Sequence, residues 1–226
     1  MPDTLRQMDW FPLWLSLKVA VLATGISLAA GLAIAYVLAR YRFRGREVLD
    51  SLVTLPIVLP PTVLGYYLLV LLGANTGLGR AFEAVFGFPL VFTWQAAVLA
   101  ATLHSIPLLV RSARAALESV DHNLENAART LGASEWRVFF RITFPLAQRS
   151  ILAATVFAFA RALGDFGVTI MIAGNIPGKT QTMAVAIYDA VQSGNTLLAN
   201  VMVLIISVVA VGILYATTRL QGERIL

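Results

Sequence analysis

The chain has no cysteine, so disulfides, thiolate metal sites and cysteine nucleophiles are excluded together. It has two histidines, His104 and His122, too few for a histidine-based metal site without help from carboxylates. Charge is scarce: only 13% of the 226 residues are Asp, Glu, Lys or Arg, about half the ~25% usual in soluble domains. So few charges cannot coat a globule of 24.4 kDa. There is no run of like charge of the kind that binds nucleic acid, and no nucleic-acid partner is expected. Hydrophobic residues make up 58% of the chain, and their excess has to face lipid. The composition reads as an all-α integral membrane protein.

Uncharged stretches of roughly 20 residues mark membrane spans. Val19–Ala39, Ser51–Gly79, Ala84–Val110 and Ala190–Thr218 qualify, and Ser150–Gly174 qualifies apart from Arg161 and Asp165. These predict five spans, with a sixth crossing as the alternative. The first is too long for a signal peptide, and the flank at 1–9 carries one Arg against two Asp. Gln181–Tyr188 is too short to cross and reads as a short helix on the outer side. The first connection holds Arg40, Arg42, Arg44 and Arg46, and the segment after the third span holds Arg111, Arg114, Arg129, Arg137, Arg141 and Arg149. With Arg219 and Arg224 they place twelve cations on one face; Arg6, Lys18, Arg80 and Lys179 lie on the other. By the positive-inside rule the N-terminus is outside and the C-terminus inside.

The segment 118–145 is the longest cytoplasmic connection. Asp121 can cap a helix with Glu125 in its first turn, and Val120, Leu124, Ala127, Ala128 and Leu131 recur on one face. Gly132 suits the position that closes such a helix, and Ser134 can start a second one carrying Trp136, Phe139 and Phe140. From the pattern alone these helices either lie on lipid or dock a partner.

Glu125-Asn126-Ala127-Ala128-Arg129-Thr130-Leu131-Gly132, followed by Ile142-Thr143-Phe144-Pro145, resembles the EAA loop of ABC importer permeases. It departs from that motif in the inserted Asn126 and in Phe144, which stands where leucine is usual. Leu55-Pro56-Ile57-Val58-Leu59-Pro60-Pro61-Thr62-Val63-Leu64-Gly65-Tyr66 resembles the second span of molybdate permeases. Ala160–Gly167 with Ala173–Thr182 resembles their region after the EAA loop, with Asp165 in place of a glutamate, and sulfate permeases share much of this pattern. The resemblance covers about Trp14 to Arg219.

It implies a type I ABC importer permease core, a single domain over residues 1–226, in the bacterial cytoplasmic (inner) membrane. It also implies a homodimer with a second copy, two cytoplasmic ATPase subunits, and an extracytoplasmic oxyanion-binding protein, all working within membrane lipid. Leu124, Glu125, Ala127, Ala128, Arg129 and Gly132 would then be the ATPase-coupling residues. The cargo implied is molybdate, with tungstate and sulfate or thiosulfate as alternatives. A stand-alone secondary transporter or channel would leave the EAA-like loop without a purpose. The spans show no paired carboxylates or nucleophile–base set, so no enzyme activity is expected.

The path candidates are Pro60, Pro61, Thr62, Ser105, Thr155, Arg161, Asp165 and Thr169. The two prolines remove backbone donors inside a span and free carbonyls, which at that depth must face protein or a watery cavity. A charge at the depth of Arg161 costs at least ~2.5 kcal/mol on insertion scales. Asp165, one turn on, can pair with it. Either the pair stabilises a bend at Gly164 and Gly167, or Arg161 lends positive potential to an anion. His104 reads as a packed, hydrogen-bonded residue, and Gly31 with Ala35 as a helix-packing face. Gly174-Asn175-Ile176-Pro177-Gly178-Lys179-Thr180 imitates a phosphate loop but has three residues between its glycines where that loop needs four. No cofactor is expected; ATP would be bound by the partner subunit.

Overall fold

The computed structural model describes residues 9–222, and Arg6 and Arg224 of the charge count lie outside them. The first helix, α1 (Phe11–Arg40), opens with Pro12 in its first turn, where a missing N–H costs nothing. It runs against α5 (Trp94–Glu118) along most of its length. Small side chains permit that approach. Ala20, Ala23, Ser27 and Ala35 of α1 and Ala97, Ala100, Ala101 and Ala113 of α5 are all 0% exposed. A Cβ on Gly31 would lie 2.8 Å from Leu109 Cδ2, so only glycine fits that point without displacing the leucine. The Ser27 hydroxyl donates across the seam to the Thr102 carbonyl.

The second apolar stretch is two helices, α2 (Arg46–Val58) and α3 (Pro61–Leu72), bent by 112°. The cause is local. Proline disfavours helical geometry in the residue before it, and at this double proline Leu59 and Pro60 are both extended, with ψ of 140° and 135°. At 13 and 12 residues, about 20 and 18 Å, neither helix alone crosses a ~30 Å hydrocarbon core. Pro61 then occupies the first turn of α3.

Several boundaries differ from the sequence reading, and the predicted fourth span, Ser150–Gly174, is interrupted at Gly164–Phe166. α3 stops at Leu72, and a separate amphipathic helix, α4 (Gly77–Phe86), follows, its start held by the Thr76 hydroxyl accepting the Gly79 N–H. The third span begins at Trp94, ten residues later than its apolar stretch, because Gly87 and Pro89 break the run and Thr93 caps the new helix. It continues past Arg111 and Arg114 to Glu118; Arg114 pairs there with Asp50 and Glu118.

After α5 come two short helices, α6 (His122–Thr130) and α7 (Glu135–Val138). A π-helical turn, Phe139–Thr143, joins α7 to α8 (Phe144–Leu163). The chain breaks at Gly164–Phe166 and resumes as α9 (Gly167–Ile172), which packs on α3 and α5. The short helix ahead of the last span is α10 (Met183–Gln192), and α11 (Thr196–Gly222) is the last span. Among the described residues, four helices are long and apolar enough to cross a membrane, five if the bent α2–α3 pair is one span. The described residues thus form an all-α membrane core of four to five spans.

Candidate functional site

Two constellations stand out, one around α6 and one at the break between α8 and α9. In the first, Asp121 caps α6 by accepting the Asn123 N–H at 2.8 Å. The far end closes as the sequence predicts. Gly132 has φ +80°, its N–H bonds to the Arg129 carbonyl, and the Ala133 N–H reaches the Ala128 carbonyl, both at 3.0 Å. These paired bonds form the left-handed helix stop that glycine enables.

Glu125 does not point outward. It is 1% exposed, and its carboxylate pairs with Arg40 at the end of α1. It also accepts a 2.5 Å bond from the Thr143 hydroxyl in the π-turn, with His122 Nδ1 at 3.3 Å and Arg129 at 3.8 Å. One carboxylate therefore ties α6 to the last turn of α1 and to the π-helical turn that leads into α8. These groups line a cleft of about 460 Å³.

Arg129 forms a bidentate pair with Glu135 at 2.7 and 3.1 Å and takes the Asn126 amide oxygen at 2.8 Å, which gives the inserted Asn126 a structural task. The bond to Glu135 raises the Arg129 pKa above its ordinary value, against the smaller opposing effect of burial. Leu124, Ala127 and Leu131 remain exposed on the outer side of α6, and Ala128 is half-buried. Leu131 is 88% exposed, and Trp136, 74% exposed, stacks on the exposed Phe140 ring with centroids 5.9 Å apart.

Within the membrane, Asp165 sits in the break between α8 and α9 and is 3% exposed. Its Oδ2 accepts the Thr169 hydroxyl at 2.6 Å and the Thr169 N–H at 3.2 Å, capping the restarted helix. Its Oδ1 lies 2.6 Å from His104 Nδ1 and 3.5 Å from Arg161 Nη1. Arg161 Nη2 also lies 2.7 Å from His104 Nδ1. A single ring nitrogen cannot donate to Asp165 and accept from Arg161 at once. The charged carboxylate is the stronger partner, so Nδ1–H donates to Asp165 and Arg161 lies beside the ring. Asp165 is thus held mainly by His104 and Thr169. Arg161, 35% exposed, is the outer member of the cluster.

The remaining path candidates divide. The Ser105 hydroxyl is fully buried and shared between the Ala101 and Ala158 carbonyls. Thr169 is committed to Asp165, and the Thr155 hydroxyl donates back to the Ile151 carbonyl at 2.8 Å. Pro60, Pro61 and Thr62 are exposed at the bend. There α3 and α9 meet through two glycines: a Cβ on Gly167 would stand 2.6 Å from Pro61 Cβ, and one on Gly65 would stand 2.6 Å from Met171 Cβ.

Sequence reasoning gave the Arg161–Asp165 spacing but not His104 as partner to both, nor Arg40 and Thr143 around Glu125. Those pairs are 57 to 85 residues apart, or in the case of Thr143 on a different helix, where no local periodicity reaches.

Residues 25–222 match the family model described as binding-protein-dependent transport system inner membrane component. The molybdenum transport system permease protein ModB of Escherichia coli (strain K12) is 45% identical, over 97% of this chain and 98% of its own. The sulfate transport system permease protein CysT of the same organism is 32% identical, over 97% and 83%. Among solved structures, the MetNI methionine ABC transporter in inward-facing conformations superposes with a TM-score of 0.74 at 17% identity, covering 94% of each chain.

Proposed function

Because this chain belongs to the family of binding-protein-dependent transport system inner membrane components, we propose that it is the permease subunit of an ATP-driven importer for molybdate. One observation carries the choice of cargo: the 45% identity to a molybdenum permease extends over nearly the whole of both chains, against 32% for a sulfate permease. In this reading two copies enclose the path, and two cytoplasmic ATPase subunits bind and hydrolyse ATP. An extracytoplasmic binding protein delivers the oxyanion. The N-terminus lies outside and the C-terminus inside.

Coupling runs through α6. Leu124, Ala127, Leu131 and the neighbouring Trp136 supply an exposed apolar face for the ATPase subunit, and Ala128 allows close backbone approach. Glu125 and Arg129 do a different task. They fix α6 to α1, α7 and α8, so that a push on the helix is passed to the spans. Along the path, Thr62 and the extended backbone at Leu59 and Pro60 offer polar groups, and Arg161 offers partly exposed positive charge. A dianion crossing such a surface is attracted without being caged, which conduction requires. Discrimination between molybdate and sulfate then falls to the external binding protein.

The test is uptake into proteoliposomes carrying this permease with its ATPase subunit, supplied with a molybdate-loaded or a sulfate-loaded binding protein. ATP-dependent molybdate uptake is expected. Sulfate uptake without molybdate uptake would reverse the cargo assignment, and accumulation without any ATPase subunit would point to a secondary transporter.

A further inference from the structure

At the end of the bundle opposite α6, a pocket of about 530 Å³ opens between the start of α1, the loop entering α5 and the loop after α9. Its walls include Trp14, Phe88, Phe92 and Trp94, and Lys18 and Lys179 both contribute to it. No carboxylate is among the lining residues, and among the described residues neither lysine forms an ion pair. The Lys18 ammonium rests instead on the Trp94 ring, 3.5 Å from its centroid.

The depth of Lys18 fits a headgroup boundary. α1 has 30 residues, about 45 Å, and so overshoots a ~30 Å hydrocarbon core by about 7 Å at each end. Lys18 is about 10 Å from the Phe11 end, hence roughly 3 Å inside the core edge, within reach of the phosphate layer for a lysine that snorkels. Trp14, one turn nearer the end and 65% exposed, stands where interfacial tryptophans collect.

Phe92 adds an independent observation. Among the described residues it alone, glycines aside, has a positive φ, +61°, which a bulky side chain adopts only where other contacts hold it. Its N–H is fixed to the Ile172 carbonyl at 2.9 Å, and Gly174 leaves room for its ring, since a Cβ there would stand 3.1 Å away. The ring is nevertheless 55% exposed toward the pocket side. Strained backbone of this kind collects at ligand-holding positions, where the surrounding contacts keep it in place.

We propose that this pocket seats the headgroup of an anionic phospholipid. The phosphate lies between the Lys18 and Lys179 ammonium groups, and the glycerol and first acyl carbons lie on the rings of Trp14, Phe88 and Phe92. A free oxyanion suits the pocket less well: it would need a shell of N–H donors and gains nothing from aromatic walls. The proposal depends on the chain crossing lipid and not on the cargo or on which face is outside.

The experiment is native mass spectrometry of the delipidated permease–ATPase complex titrated with phosphatidylglycerol or with phosphatidylcholine. Wild type should retain phosphatidylglycerol well below the concentration at which phosphatidylcholine binds. K18Q/K179Q should weaken phosphatidylglycerol about thirtyfold and K179Q alone, on an exposed loop, about fivefold, at one ammonium's attraction to an anionic headgroup per lysine. K18R/K179R should retain it. Equal retention by wild type and K179Q, or by the two lipids, overturns the proposal. Displacement of the lipid by millimolar inorganic phosphate or molybdate would assign the pocket to a free oxyanion and overturn it as well.

Discussion

Glu125→Ala should destabilise the permease itself, in the absence of any partner. The carboxylate is 1% exposed, and its ion-pair partner Arg40 is 14% exposed. Breaking a buried pair by removing one member costs about 3–5 kcal/mol, because the other charge is left unpaired in low dielectric. Arg40 retains some access to water, so the lower end, about 3 kcal/mol, applies, with the stranded Thr143 hydroxyl included. Arg40→Ala should cost about 2 kcal/mol, less because Thr143 and His122 still hold the carboxylate. For a chain of this size each kcal/mol moves the melting temperature by about 2–4 °C. Glu125→Ala should therefore lower it by about 6–12 °C, and the double variant by much less than the sum of the singles. The assay is a thermal melt of the detergent-purified chain without its ATPase subunit. Additive single effects would show that the two side chains do not act on each other. An unchanged melt combined with lost ATPase binding would mean that Glu125 faces the partner, and the internal clamp would be refuted.

Gly132→Leu places a branched side chain at φ +80°, and should cost about 1 kcal/mol while sharply reducing ATPase-subunit co-purification; normal transport by this variant would dissociate α6 from docking. Gly167→Val should force α9 off Pro61 and cost about 1–3 kcal/mol, read as a lower melting temperature, whereas Gly164→Ala, whose nearest atom would be 3.7 Å away, should be mild. Asp165→Ala should lower the melting temperature more than Arg161→Ala, because Asp165 holds His104 and Thr169 as well, while Arg161→Ala should chiefly slow oxyanion uptake; the reverse ranking in both assays would make Arg161 the structural member. Since the chain has no cysteine, single cysteines can be read without background: one at Ser134 should react only from the cytoplasm and one at Asn75 only from outside, and labelling of Ser134 in intact cells would invert the topology.

What was legible in the sequence was local. The proline pair announced the bend in the second span, Gly132 the end of α6, and the Arg161–Asp165 spacing a contact at 3.5 Å. Helix edges were less legible: the apolar run from Ala84 hides the break that Gly87, Pro89 and the Thr93 cap impose before Trp94. Hydropathy also misses helix that continues beyond the apolar stretch, as α5 does to Glu118 on the strength of Arg114's two carboxylate partners. The inward turn of Glu125 was not legible at all. A glutamate in the first turn of an amphipathic helix looks solvated unless one knows that Arg40 and Thr143 converge on it from other helices.

The seam between α1 and α5 has a consequence for motion. Alanine and glycine have no side-chain torsions, so closing the seam costs no rotamer entropy, and equally there are no alternative rotamers with which to accommodate a slide. Leu, Met and Phe contacts can re-mesh after a shift of an ångström; two backbones touching through Cβ atoms can only separate, with a void left behind. Any rearrangement during transport should therefore carry α1 and α5 as a single strut. The displacement would be taken up where longer, re-orientable side chains meet, as at Met183, Met202 and Ile205 between α10 and α11.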